Sequence, residues 1–295
     1  FTSNTPVTVT VKQPPTASIS TQVACSNSNA PGLFDITVTS TATNPSFTVT
    51  YSNSVNGAKY TNSNFSGPSI SILDTIPHPN SAISYTLDTV YDNSGNQCTG
   101  IISGTAVIYP IPTATISAKS DTICISNPVE LDIVLSGIGP WVVKYNDGIG
   151  GADQTVNIAT NPYSLNLANP GSGSYSYTIV SVADQNCSSN GTGIAKVTVN
   201  NPAQVTLLIE DPGTLNRVVN DSYCQGFGPR NLVFSISPVS GTGNSFQVEY
   251  TINNGPIQSQ LVSRPDSSIS LNPTVGSYNY KVENVFDLTK ANCKG

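Results

Sequence analysis

One strand pattern occurs three times in this chain of 295 residues. It consists of a Tyr, an aliphatic residue at +2, Val at +5, Asp at +7 and then a Cys. The copies run from Tyr85 to Asp92 with Cys98, from Tyr177 to Asp184 with Cys187, and from Tyr280 to Asp287 with Cys293. A recurrence at roughly 95 residues is the signature of a tandem array, and each unit is long enough to close a core of its own.

A second pattern recurs in phase with the first. Phe47-x-Val49-x-Tyr51, Trp141-x-Val143-x-Tyr145 and Phe246-x-Val248-x-Tyr250 put three large side chains on one face of a strand. Further alternating segments lie at Ala17–Ser20 and Phe34–Val38 in the first unit, with counterparts at Ala114–Ser117 and Leu131–Leu135, and at Val205–Ile209 and Leu232–Ile236. No stretch carries a 3.6-residue apolar period long enough for a helix. Short strands broken by Gly, Pro, Asn and Asp predict an all-β chain of antiparallel sandwiches with about seven strands each. In the Tyr strand the step from +2 to +5 breaks the two-residue phase, which predicts a bulge near Asp88-Thr89, Val180-Ser181 and Glu283-Asn284.

Proline-bearing joints at Pro14-Pro15, Pro110 to Pro112 and Asn201-Pro202 divide the array. Repeat 1 spans 13–110, repeat 2 spans 111–201 and repeat 3 spans 202–295. Val7-Thr8-Val9-Thr10-Val11 matches Ala106–Tyr109 and Ala195–Val199, the segments that close repeats 1 and 2. Residues 1–12 are therefore expected to be the last strand of a preceding repeat, and repeat 3 to lack its own last strand. Asp211 to Tyr223 is an insertion in repeat 3, with a turn at Asp211-Pro212-Gly213-Thr214 and one return strand expected within Leu215–Val219.

Composition narrows the function. Charged residues make up 9% of the chain, the net charge is −6, and no Lys/Arg cluster exists to hold phosphates. Nucleic acid is accordingly not an expected partner. No apolar run reaches the length of a membrane span, so the chain is not expected to be membrane-embedded. The single His, in Pro77-His78-Pro79, is expected as a solvated loop residue, and no catalytic or cofactor-binding motif stands in a supporting context. An enzyme is not expected. Calcium has weak candidates in Asp92, Asp184 and Asp287, which recur at one loop entrance, and in Asp147 and Asp153, which flank a Gly-rich loop. Calcium needs six to eight oxygens, whereas Asp at such places commonly caps its own turn; no cofactor is therefore the first expectation. Trp141 is expected in the core.

Thr122-Ile123-Cys124, Gly139-Pro140-Trp141 with Tyr145-Asn146-Asp147-Gly148, and Tyr177 through Asp184 to Cys187 resemble PKD-like, immunoglobulin-like repeats of giant Bacteroidota surface proteins. Such repeats occur in gliding-motility adhesins and other cargo of the type IX secretion system. The resemblance covers the whole chain and is clearest in repeat 2. It implies an elongated array of immunoglobulin-like sandwiches at the extracellular cell surface. It implies a structural and adhesive segment of a long fibre, whose partners are neighbouring repeats of the same chain and a surface polysaccharide or substratum. The alternative is a carbohydrate-binding or spacer array attached to a secreted polysaccharide-degrading enzyme. Asp74-Thr75-Ile76, Asp121-Thr122-Ile123 and Asp88-Thr89-Val90 also resemble the Asp-Ser/Thr-aliphatic O-glycosylation motif of that phylum, which makes Thr75, Thr122 and Thr89 candidates, with Thr75 first.

Six cysteines, two per repeat, read as a disulfide framework of an oxidising compartment. Counting pairs them within repeats, as Cys25–Cys98, Cys124–Cys187 and Cys224–Cys293. Strand direction argues otherwise. Cys124 follows the first strand and lies at the far end of its sandwich, whereas Cys187 follows the Tyr strand and lies at the near end. An eight-residue strand spans about 26 Å and a disulfide needs Cα atoms within about 7 Å. The far end of one repeat faces the near end of the next, so the first expectation is Cys25–Cys187 and Cys124–Cys293, leaving Cys98 and Cys224 for repeats outside this piece.

Overall fold

The computed structural model describes residues 6–27, 29–77, 80–94, 98–225, 228–237, 244–288 and 293, and among these every regular element is a strand. Repeat 1 contains β1 (Thr16–Val23), β2 (Cys25–Ser26), β3 (Leu33–Thr39), β4 (Phe47–Asn53), β5 (Lys59–Phe65), β6 (Ser69–Leu73), β7 (Ile83–Asp92), β8 (Ile101–Ser103) and β9 (Thr105–Pro110). Repeat 2 contains β10 (Ala114–Ala118), β11 (Thr122–Cys124), β12 (Val129–Leu135), β13 (Trp141–Asn146), β14 (Gln154–Ile158), β15 (Tyr163–Leu167), β16 (Gly173–Ala183), β17 (Ser188–Asn190) and β18 (Ile194–Asn200). Repeat 3 contains β19 (Gln204–Asp211), β20 (Asn216–Val218), β21 (Arg230–Ser237), β22 (Ser245–Ile252), β23 (Gln258–Ser263), β24 (Asp266–Leu271) and β25 (Tyr280–Asp287).

Each repeat is a sandwich of two sheets. In repeat 1 the order β6-β3-β1-β8 faces β2-β9-β7-β4-β5; in repeat 2, β10-β12-β15 faces β11-β18-β16-β13-β14. Repeat 3 sets β20-β19-β21-β24 against β23-β22-β25. The chain is thus an all-β tandem of immunoglobulin-like sandwiches. Alternation builds each core: β4 is buried at every second position from Phe47 to Asn53, and β13 at Trp141, Val143 and Tyr145. Full burial of a large apolar side chain contributes about 1.5–3 kcal/mol. The aromatic-x-Val-x-Tyr strands are therefore the main hydrophobic investment of each unit. Tyr51, Tyr145 and Tyr250 occupy equivalent places, opposite Leu87, Ile179 and Val282.

The bulges fall where the phase break puts them. The register shifts between Thr50 and Tyr51 so that Asp88 is skipped, between Lys144 and Tyr145 so that Val180 is skipped, and between Glu249 and Tyr250 so that Glu283 is skipped. The extra residue lets Leu87 and Val90, two positions of opposite phase, both point into the core. In the insertion, β20 pairs with the C-terminal half of β19. Arg217 of β20 donates to Glu210 at 2.7 Å and to Asp266 at 2.6 Å, which ties the insertion across three strands.

Val7–Val11, expected as a last strand, has no strand pairing among the described residues. Its valines are 90%, 80% and 89% exposed. β25 pairs with β22 alone among the described residues, whereas its counterparts β7 and β16 carry β9 and β18 on their second edge.

Candidate functional site

The joints between repeats concentrate the covalent and polar features of this molecule. At the first joint, the hairpin after β16 projects Cys187 toward repeat 1. Asp184 shapes that hairpin: its Oδ1 accepts from the N–H groups of Asn186 and Cys187, both at 2.8 Å, and its own N–H donates to the Cys187 carbonyl at 2.9 Å. Its Oδ2 accepts from the N–H of Ile138 at 3.3 Å, which fixes the neighbouring loop. From repeat 1, Cys25 stands in β2, held by parallel pairing with β9. Cys25 and Cys187 are bonded, with Cα atoms 5.9 Å apart and 162 residues between them in sequence. Beside the bond the Gly137 N–H donates to Asn80 Oδ1 of repeat 1 at 3.2 Å. Gly137 has φ +92°, and a Cβ there would meet Pro112 Cα of the joint at 2.9 Å, so glycine is required for this approach.

The second joint repeats the plan. Cys124 ends β11, which pairs in parallel with β18, and Cys293 follows β25. The two are bonded with Cα atoms 5.3 Å apart, across 169 residues of sequence. Both sulfurs are buried. The Asp287 N–H donates to the Cys293 carbonyl, as Asp184 does to Cys187 and Asp92 to Cys98. Asn200 lies in this joint, 1% exposed, and neither its Nδ2 nor its Oδ1 has a partner among the described residues. A polar side chain so placed is the usual seat of a buried water.

The structure corrects the within-repeat alternative. Cys25–Cys98, Cys124–Cys187 and Cys224–Cys293 do not form: Cys25, Cys124, Cys187 and Cys293 are spent on the two joints, and Cys98 and Cys224 are free thiols. The reason is strand length, since each within-repeat pair would have to span a sandwich from end to end.

Of the calcium candidates, Asp92, Asp184 and Asp147 cap turns. Asp92 Oδ1 accepts from the Ser94 N–H at 2.8 Å and from its hydroxyl, and these bonds hold the carboxyl below the usual carboxylate range. Asp184 caps as described, and Asp287 is 1% exposed at the end of β25. Asp147 accepts from the Ile149 N–H, and Asp153 from the Asn146 amide. Among the described residues no three His, Cys, Asp or Glu side chains gather at metal-binding distance. His78 lies outside the described residues. Trp141 is a core residue whose Nε1 donates to the Ser136 carbonyl at 3.0 Å.

The three threonines differ sharply. Thr75 is exposed in the loop after β6, Thr122 is half-buried in β11, and Thr89 is half-buried beside the bulge of β7. Asp74, next to Thr75, is 2% exposed and accepts from the Tyr85 hydroxyl at 2.5 Å and the Ile76 N–H at 3.1 Å. Burial first, and then Asp74, push the Tyr85 hydroxyl far above its ordinary range. Sequence reasoning missed this buried pair and the Asn80–Gly137 contact. The only signal was the position of Asp74 and Asn80 in the loop entering the Tyr strand.

No family model matches this chain, and no curated protein does. Solved structures of similar fold include a fragment of titin, I67–I69 of the I-band, at 14% identity and TM-score 0.49, covering 93% of this chain and 95% of that one. Another is a Ca2+-stabilised adhesin that helps an Antarctic bacterium reach out and bind ice, at 17% identity and TM-score 0.36, covering 97% and 73%. Titin domains A168–A170 match at 14% identity and TM-score 0.33, covering 94% of each chain. These likenesses concern fold alone.

Proposed function

We propose that this chain is a structural and adhesive segment of a long extracellular fibre, of the gliding-motility adhesin type, and not an enzyme. The observation that carries this reading is the covalent closure of both joints. A flexible string of sandwiches needs no bond between its units, whereas a fibre that holds its reach under load gains from one at each joint. Native disulfides of this span belong to oxidising, extracellular settings. By the chain-entropy account each constrains the unfolded chain by about 5 kcal/mol, a model-dependent figure. Thr75, the exposed member of the three Asp-Thr-aliphatic sites, is the first position for a surface glycan.

Many weak contacts along such a fibre, to a surface polysaccharide or substratum, give avidity without a deep pocket. The alternative, a carbohydrate-binding or spacer array beside a polysaccharide-degrading enzyme, needs a row of exposed aromatic rings. Phe34, Phe47, Tyr177, Phe234 and Phe246 are fully buried, and the exposed rings among the described residues, Tyr60, Tyr91 and Tyr278, are divided between repeats 1 and 3, with none in repeat 2. Beads carrying the chain at graded density, tested on polysaccharide-coated and bare surfaces, separate the two readings. The adhesive reading expects retention that rises steeply with density and no hydrolysis. Tight binding of the single chain to one polysaccharide in solution would overturn it.

A further inference from the structure

Repeat 2 carries a cup of about 330 Å³, bounded by β13 and the loop after it, β14, β15 and β16, whose lining includes Tyr145, Asp147, Ile149, Gln154, Leu167 and Tyr177. Its floor is polar and unsatisfied. Tyr145 and Tyr177 are 6% and 1% exposed and belong to the core, yet neither hydroxyl has a hydrogen-bond partner among the described residues. Burial first, and then the nearby Asp147 carboxylate, raise both hydroxyls above their ordinary value, so both stay protonated. Buried phenols ordinarily find a partner inside the protein. These two reach only the cup.

Repeat 1 fills the same place from within. Tyr51 and Tyr85 stand there where Tyr145 and Tyr177 stand in repeat 2. Tyr85 donates to the buried Asp74 at 2.5 Å, and Tyr51 stacks on Tyr60 with ring centroids 5.3 Å apart. The strand register gives the repeat 2 counterparts of both fillers. Tyr60 pairs with Tyr51 as Gln154 pairs with Tyr145. Asp74 lies two residues beyond Ile72, the partner of Phe34, as Leu167 lies two beyond Leu165, the partner of Leu131. Repeat 2 thus carries an amide in place of a ring and an aliphatic chain in place of a carboxylate. The space opens, and the Tyr177 hydroxyl is left without the acceptor that Tyr85 has. The whole cup is built within repeat 2.

The groups present select a ligand class. Both phenols donate. Asp147, whose Oδ1 accepts from the Ile149 N–H at 3.1 Å, and Gln154, whose Nε2 donates to the Ala152 carbonyl at 3.0 Å, keep further oxygens as acceptors. Ile149 and Leu167 add apolar walls. Donors and acceptors set together beside apolar surface suit a neutral polyhydroxy ring. The Asp147 carboxylate disfavours an anion. An ammonium ion, a donor only, would leave both phenol protons unmatched. The cup is also preformed, which lowers the cost of binding. Asn146 Oδ1 accepts from the Gly148 N–H at 2.9 Å, and its Nδ2 donates to Asp153 at 3.1 Å. Gly148 has φ +70°, and a Cβ there would meet the Ser176 carbonyl oxygen at 2.5 Å, so glycine lets the loop close on β16. We propose that this cup binds one neutral hexose residue of a polysaccharide, with Tyr145 and Tyr177 donating to its hydroxyls and Asp147 and Gln154 accepting from them. The assignment rests on the adhesive reading and gives it one of its weak contacts.

The test is an NMR titration of the oxidised chain, with isotope-labelled tyrosine, against methyl glucoside, methyl galactoside, methyl mannoside and methyl glucuronide. The expected result is saturable shifts centred on Tyr145 and Tyr177 with at least one neutral hexoside, at a Kd on the order of 1–10 mM, and none with the glucuronide. Gln154→Tyr, at an exposed position, brings in the ring that repeat 1 uses and is expected to abolish the shifts while keeping the thermal midpoint. Asp147→Asn retains an oxygen for the Ile149 N–H and is expected to weaken binding about tenfold. Absence of saturable shifts at the two rings with every hexoside, shifts that survive Gln154→Tyr, or a glucuronide bound as tightly would each overturn the site. Retention of coated beads is read separately and decides the adhesive reading whichever way the titration falls.

Discussion

Repeats 2 and 3 are built from the same strands and differ in how well they close. Repeat 2 buries seventeen hydrophobic residues in one cluster, from Ala114 to Val199. Repeat 3 buries nine among the described residues, with Val205, Leu207, Ile209, Tyr280 and Val282 packed against them only in part. Of the matching residues of repeat 2, Ala114, Ile116, Tyr177 and Ile179 are buried, while Ala118, the counterpart of Ile209, is likewise only partly buried. The difference traces to β18, which supplies Ala195, Val197 and Val199 to the core and roofs the Tyr strand. One strand in such a sandwich both contributes apolar surface and completes the burial of its neighbours.

Substitutions and an alkaline titration break or sharpen this contrast, in falling order of effect. Tyr177→Ala is expected to cost repeat 2 about 3–5 kcal/mol, the range for emptying a large aromatic from a closed core. Tyr280→Ala is expected to cost repeat 3 less than half as much, because its ring already meets solvent. Hydrogen exchange resolved by repeat in rising denaturant reads both values, and equal costs would remove the distinction. Gly191→Ala comes next. Its Cβ would lie 1.9 Å from Ile179 Cγ2, an overpacking expected to cost about 1–3 kcal/mol. Gly151→Ala, with nothing within 4 Å, is the control and is expected to be neutral or slightly stabilising.

Alkaline titration follows. Burial raises the hydroxyl pKa of Tyr145 and Tyr177 in repeat 2 and of Tyr250 and Tyr280 in repeat 3, and burial with Asp74 raises that of Tyr85. A phenol whose pKa is higher folded than unfolded keeps its stabilising contribution below the unfolded pKa, about 10. That contribution is lost as pH rises above this value toward the folded pKa. Unfolding midpoints are therefore expected to be flat up to about pH 9.5 and to fall beyond it. Tyr85→Phe is expected to flatten the fall in repeat 1 while costing about 1–3 kcal/mol at neutral pH, because Asp74 loses a buried donor. Arg217→Ala is expected to cost repeat 3 about 1–3 kcal/mol, because Glu210 is 8% exposed and loses its charged donor. Asp266→Asn, which leaves the Arg217–Glu210 pair in place and touches the more exposed partner, should do least, and its small shift should fade in high salt.

Much of this was legible in the sequence because it depends on local period. The Tyr strand with its phase break, the aromatic-x-Val-x-Tyr strand and the β20 return strand all follow from spacing. The direction and length of strands also separated the two cysteine pairings. Contacts set by the tertiary approach of distant loops could not be read. Asn80 meets Gly137 because two repeats abut, and Asp74 is buried because Tyr85 lies beneath it. Nothing in either local sequence encodes those meetings.

The two clasps overlap in sequence, and that overlap gives the most direct test. From one end to the other, the shortest covalent path runs to Cys25, crosses to Cys187, returns through repeat 2 to Cys124 and crosses to Cys293. Single-molecule stretching between the termini should therefore stop at roughly 300 Å for the oxidised chain, against roughly 1,000 Å after reduction, at about 3.3–3.6 Å per extended residue. Cys25→Ser with Cys124→Ser should behave as the reduced chain without reductant. An oxidised chain that extends to the full length would contradict the account of a fibre locked at its joints.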